Sequence, residues 1–369
     1  MIPHKGDLIS NVYLQVKLPA LIEEQKYQNN LAYKFVMNVQ LKIDNKKVQE
    51  YSDNYLYVHN EISESKTHSN GLDEMLGRHS TNSFDILSNK EQSLLIPIPI
   101  WNNDKLQQFF PIGSLKKQEL VMTVEFADGK TLYRKHDSNS QNVSPTLRVR
   151  NNGNVGVTLK VETDELTDSE NKPARISDAL LLVDYIMLDT VEKNMITQKQ
   201  EYLYNTVLSH KERIKSDSFT IELPFNLPVK QLIWVIHDFE YLSNMTEFTD
   251  SEQIYYENFV TYPMTTARLL MGQIDNELTE SLGGEYFRHI QGYYRNKRMA
   301  DFNKYIYSFS FALSQDDGHP NGSVHFGKLA NKSIQIKADG VKNKYITVYA
   351  RCYNVLKSEN GFGTILLQP

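Results

Sequence analysis

Asp316-Asp317-Gly318-His319 sets two carboxylates beside an imidazole, the side chains that general acid–base catalysis uses once a pocket strips water from them. Lying between two apolar runs, the same four residues read as a solvated loop joining strands. His319 and His325 stand on either side of a turn with no third ligand at matching spacing, so they do not make a metal set. Cys352 sits in an alternating run beside Tyr353 with no base in view, and reads as a buried structural thiol. Gly283-Gly284 and Gly361-Phe362-Gly363 lack the strand-to-helix context of a phosphate loop and read as turns. No catalytic, cofactor-binding or metal-binding residue is assigned, and no cofactor is expected.

Three further groups of residues bear on recognition or modification. Arg288, Arg295, Lys297 and Arg298, interleaved with Tyr293 and Tyr294, form a basic-aromatic cluster. Such a cluster stacks nucleic acid only along a positive groove, whereas Tyr and Arg are favoured at protein interfaces, so a subunit contact is the better reading. A carbohydrate site on a sandwich would need a Trp-lined groove with paired carboxylates. Only Trp101 and Trp234 are present, and Trp234 lies in an apolar run. Sequons begin at Asn142, Asn244, Asn321 and Asn331; with no secretion signal they read as chance matches.

The elements that must position these residues are written in period two. Val12, Leu14, Val16 and Leu18 share one parity, as do Phe35, Met37, Val39, Leu41 and Ile43. The runs Leu120 to Phe126, Val155 to Val161, Phe219 to Leu223 and Tyr305 to Leu313 repeat the alternation, which gives a pleated strand one buried and one wetter face. From Tyr345 to Leu356 both parities are apolar, predicting a strand covered on both sides. Asp44-Asn45, Asp128-Gly129, Asn151-Asn152-Gly153, Asp339-Gly340 and Asn360-Gly361 supply the turns. Helix is scarce. Asp189 and Glu192 have capping-box spacing, and Gln200 to Leu208 is a second candidate. The pattern predicts an all-β chain of sandwiches with short helices in its connections.

Size and charge bound the rest. The 369 residues allow one to three domains, and a net charge of -5 excludes a polybasic nucleic-acid coat. One cysteine cannot form an internal disulfide, so packing or assembly must stabilise the fold, in a reducing compartment. No apolar run is long enough to span a membrane, and the first residues lack a secretory signal, so the chain reads as soluble and not exported. A polar stretch at 162–177 reads as a linker between two halves. Leu41 to Asn45 with Tyr55, and Ile274 to Asn276 with Tyr286, match at an offset of 231 that also aligns Val124 with Val355, a faint sign of duplication.

Six blocks in chain order carry a resemblance: Gly6 to Leu14; Val39 to Asn45 leading to Tyr55 and Asn60-Glu61; Ala179 to Asp189 running on to Glu201-Tyr202-Leu203; Pro228 to Val235; Tyr305 to Leu313 with His319 to Ser323; and Tyr349 to Leu356 with Gly361 to Gly363. Together they resemble the major capsid proteins of nucleocytoplasmic large DNA viruses. That resemblance implies a double jelly roll, with residues 1–165 as a first roll lacking its usual N-terminal arm and first strand, and 166–369 as the second. It further implies a structural subunit and no enzyme. Three copies would make a pseudo-hexagonal capsomer of an icosahedral shell, with neighbouring capsomers and minor capsid or cement proteins as partners. Contact with an inner membrane would be indirect, and no specific nucleic acid would be bound. Synthesis is expected in the host cytoplasm and residence in the virion. The alternatives are a minor capsid or scaffold paralogue of the same fold, and a carbohydrate-binding or carbohydrate-processing sandwich.

Overall fold

The computed structural model describes residues 1–21, 25–27, 31–52, 54–63, 69–77, 90–101, 109–126, 133–136, 142–143, 178–237, 261–272, 277–301, 304–314 and 320–367. In the first half, β1 (Leu8–Leu18) lies between β5 (Gln92–Pro97) and β9 (Asp178–Ile186), with Leu14 opposite Ile96 on one side and Leu181 on the other. A second sheet sets β3 (Val36–Ile43) between β4 (Lys46–Ser52) and β6 (Leu120–Phe126). The inner faces of both, including Val12, Val16, Ile96, Val39 and Leu41, fuse into one core with the helix Tyr55–Ser63. Burying alternate residues of two facing sheets is what the period-two pattern demands. A third, small sheet joins β2 (Gln25–Tyr27), β7 (Tyr133–His136) and β8 (Asn142–Val143).

The second half is also a sandwich. One sheet runs β10 (Gln200–Arg213), β18 (Tyr345–Glu359), β12 (Pro228–His237), β15 (Ile306–Ser310), with β16 (Val324–His325) and β19 (Phe362–Ile365) paired to its inner strands. Facing it are β11 (Ser218–Glu222), β17 (Asn331–Lys337), β13 (Thr266–Gly272) and β14 (Leu282–Gly283). Leu232, Trp234, Val348 and Cys352 meet Leu269, Ile334 and Ile336 in the second core. The other faces of β12 and β18 are apolar too. Ile233, Val235 and Tyr349 join the first core, so this sheet is shared by both halves. The two-sided burial expected for Tyr345 to Leu356 is thus observed, and β12 has the same character.

Turn chemistry follows residue type. Asp44 closes the β3–β4 hairpin at φ 51°, and Asn360-Gly361 closes β18–β19 with φ 55° and 85°, the double positive φ of a type I′ turn. The capping box forms as expected: Asp189 accepts from the Glu192 amide at 2.8 Å and Glu192 from the Asp189 amide at 3.2 Å, starting the helix Thr190–Thr197.

Two expectations are corrected. Gln200 to Leu208 is not helix but strand, paired along its whole length with β18. Met37 does not share the buried face of Phe35 and Val39; a register shift between Val36 and Asn38 turns Val36 inward instead. Ala179 to Ile186 pairs antiparallel with β1. The runs Asn151 to Val161 and Ile274 to Asn276, the Asp128-Gly129 turn and the 162–177 stretch lie outside the described residues.

Candidate assembly surfaces

Residues weighed for chemistry prove to be interior, structural or outside the described set. Asp316, Asp317, Gly318, His319 and Asn244 fall in the last group. His325 is part-buried in β16. Cys352 is fully buried between the two halves' shared sheet and the second core, and burial pushes its thiol far up, out of the nucleophilic range. Gly361 takes the turn described above. A Cβ on Gly363 would meet the Leu115 side chain at 2.5 Å, so this glycine permits close approach of β19 to the 3₁₀ turn Ile112–Leu115. Among the described residues no three His, Cys, Asp or Glu side chains gather to hold a metal. No helix among them is long and apolar enough to cross a membrane.

Both tryptophans are core residues. Trp234 packs on Phe287 at 5.3 Å and donates to the Met264 sulfur at 3.4 Å. Trp101 stacks on Tyr204 at 4.5 Å. The outer face of β11, β17 and β13 carries an open groove of about 570 Å³, lined by no tryptophan, in which Arg268 already bridges Glu277 and Gln335 at 2.6 Å each. A Trp-lined sugar groove is therefore not formed by these residues.

Two sets of contacts that the sequence did not predict weld the halves together. Gln49, fully buried, accepts from the Trp101 amide at 2.7 Å and donates to the Asn205 carbonyl at 2.5 Å and the Trp101 carbonyl at 3.3 Å. These bonds hold Trp101 at φ 61°, a conformation bulky residues rarely take. Glu61, 3% exposed, meets Lys304 at 2.5 Å and Arg298 at 3.7 Å, and the Arg298 amide donates to the Ile62 carbonyl. A glutamate at the end of an otherwise apolar helix face, Tyr55 to Ile62, is the one sequence signal for that ion cluster.

The Gly6-Asp7 pair has a physical role at the junction. A Cβ on Gly6 would sit 2.6 Å from the Tyr185 Cβ. Asp7 accepts from the Leu188 amide at 2.9 Å and pairs with Lys193 at 3.2 Å, pinning the start of the helix Thr190–Thr197. The Leu188 amide, helped by Lys193 and opposed by burial, holds the Asp7 carboxyl below its ordinary 3.8. A lowered folded value stabilises above the unfolded value and is lost as pH falls through the folded one. Asp7→Asn should therefore destabilise clearly near about pH 6 in urea melts and much less near about pH 3. An equal gap at both values would refute the latch.

The basic-aromatic cluster is divided. A π-helical turn Tyr286–Ile290 runs into the helix Gln291–Arg295, anchored where Asn296 accepts from Gln231 at 2.7 Å and donates to Ser308 at 3.3 Å. Arg288 donates to the Asp301 carbonyl and lies 4.6 Å over the Tyr305 ring, while Arg295 donates to the Leu313 carbonyl at 2.5 Å. Tyr293 and Tyr294, each 70% exposed, pack edge to face on the outside. Leu180 and Leu182 of β9, and Met187, Val191 and Met195 further along the chain, are also exposed.

A family model for the major capsid protein N-terminus matches residues 1–189, over half of the chain. The chain belongs to the major capsid protein family of large eukaryotic DNA viruses. A second model, the large eukaryotic DNA virus major capsid protein, matches residues 186–364, so the two meet just after β9. The major capsid protein of Pyramimonas orientalis virus is 22% identical, the alignment covering 98% of this chain and 84% of that one. That of Frog virus 3 is 21% identical over 91% of this chain and 74% of its own. The fold agrees: the PBCV-1 virus capsid superposes with a TM-score of 0.73 at 17% identity, covering 100% of this chain and 92% of that chain. The Faustovirus major capsid protein gives 0.69 at 9% identity, covering 97% and 87%. The chain is a double jelly roll, and as a capsid protein it is a structural subunit of the virion shell and not an enzyme.

Proposed function

We propose that this capsid protein acts as a trimer, three double jelly rolls forming a six-sided block that tiles the shell with neighbouring blocks and minor capsid proteins. The observation that carries the reading is the shared sheet: two like sandwiches fixed through opposite faces of β12 and β18 give each subunit two of six equivalent sides. The first roll would then run to the end of β9 and the second begin with the helix Thr190–Thr197, not at 165, because β9 pairs with β1. Exposed apolar faces on both rolls suit a subunit whose stability is shared with its neighbours. Light scattering should give three times 42.7 kDa at micromolar concentration. A stable monomer there would overturn the trimer. Quantitative mass spectrometry of virions distinguishes the main shell protein, which dominates the protein mass, from a minor or scaffold paralogue.

A further inference from the structure

The two rolls follow one strand order. In the second, β18, β12 and β15 lie side by side in one sheet and β17, β13 and β14 in the other, with the helical turns 286–295 between β14 and β15 in sequence. In the first, β9, β1 and β5 take the same places, β6, β3 and β4 match them in the facing sheet, and the helix Tyr55–Ser63 lies between β4 and β5. The second roll has one more strand at the same end of each sheet. These are β10 beside β18 and β11 beside β17, joined by residues 214–217. In the first roll, among the described residues, β9 pairs with β1 alone. β6 pairs with β3 and is otherwise met only at its start, where the Ile2 amide donates to the Leu120 carbonyl at 2.7 Å.

Burial follows the same division. Val348, Ala350 and Cys352 of β18 and Ile334 and Ile336 of β17 are buried in the second core. Their counterparts, Leu181, Val183 and Tyr185 of β9 and Met122, Val124 and Phe126 of β6, pack on the first core yet stay part-exposed. The first sandwich is thus open along one side, with two strand edges and a row of half-covered apolar side chains. An unpaired edge offers backbone donors and acceptors to an extended segment, and alternate side chains supply the fit.

We propose that this open side receives a strand–turn–strand segment of a partner polypeptide, one strand antiparallel to β9 and the next antiparallel to β6. The same chain shows what covers such a side, since β10 and β11 sit in that way on β18 and β17. A second copy has no such pair to give among the described residues, because its own β10 and β11 are already paired. The partner segment needs an apolar residue at every second position to reach Leu181, Val183, Met122 and Val124. On its other parity it needs apolar residues beside Leu180 and Leu182 and cations beside the exposed Asp184 and Glu125. Neither requirement depends on the number of copies in the assembly, so a monomeric wild type would leave the site standing.

The probe is a synthetic peptide of the sequence Gln200–Glu222, which caps the equivalent edges of the second roll, with a scrambled peptide as control. In wild-type chain alone, hydrogen exchange read by mass spectrometry should be at least about tenfold faster over residues 178–186 and 121–126 than over 331–337 and 345–356. Saturating peptide should close most of that gap and leave the second-roll strands unchanged, and the scrambled peptide should do neither. Equal protection of all four stretches in dilute chain alone means that the chain closes its own side, and overturns the proposal. Protection that appears only as the chain is concentrated assigns the side to a second copy, and overturns it too. So does a peptide that protects neither β9 nor β6. Nitroxides on Leu182→Cys and on Thr123→Cys, both positions exposed and Cys352 buried beyond labelling, locate the segment. Both labels should lose mobility with the peptide and keep it with the scrambled form; unchanged spectra overturn the placement.

Discussion

Glu61→Ala is expected to lower the stability of the folded chain by about 3–5 kcal/mol, the range for removing one partner of a buried ion pair. The carboxylate stands between Lys304 at 2.5 Å and Arg298 at 3.7 Å, both cations only 12% exposed, and it reaches them from a helix of the first half. Arg298 retains Asp301 at 2.7 Å and Lys304 still lies 4.7 Å over the Tyr57 ring, so the cluster loses its centre and not every contact. What is lost is the compensation for two positive charges held away from water. Glu61→Gln keeps the shape and one acceptor, and should fall between wild type and Ala. Urea melts at one fixed protein concentration measure this, since assembly shifts apparent stability. A loss below about 1 kcal/mol would mean that the pair behaves like a surface one.

Trp234→Ala should cost about as much, 3–5 kcal/mol, for a different reason. Trp234 is fully buried in the second core, where Phe287 at 5.3 Å, Tyr307 at 6.2 Å and the Met264 sulfur surround it. Truncation removes a fully buried indole and leaves a void whose lining is held by other contacts; Tyr307 accepts from the Met264 amide at 2.8 Å. The walls cannot collapse into the space, so both the transfer and the cavity contributions are lost. Trp234→Phe should recover more than half of the loss. A drop under about 1 kcal/mol for Ala would show that the core refills around it.

The strands were legible wherever one face is wet. β1, β6 and β11 alternate in sequence, and the structure pairs them as strands. Gln200 to Leu208 misleads because two periods overlap in nine residues: Leu203 and Val207 fit a helix, while Tyr202, Tyr204, Thr206 and Leu208 fit a strand. Fourteen residue pairs with β18 decide between them, a long-range influence that local propensity does not contain. The partner of β9 was hidden likewise, since Leu14 and Leu181 meet across more than half of the first family model's length. The exposed apolar residues were half visible. Tyr293 and Tyr294 stood out by type, but the stripe of Met187, Val191 and Met195 looks in sequence like any core-facing helix edge. Only the structure turns it outward. Gln49 had no signal at all: a polar residue on an alternating strand becomes a clamp only when another strand's backbone arrives beside it.

A sheet with apolar side chains on both faces cannot be left by either of its coverings. Prying the halves apart would bare Ile233, Val235 and Tyr349 on one and the Tyr55 ring, 5.3 Å from Tyr349, on the other. A push on either half therefore travels through the backbones of β12 and β18 instead of being absorbed at a hinge. In a shell that must hold its curvature around packed contents, the subunit transmits load as one stiff tile, and any give must come at the joints between tiles.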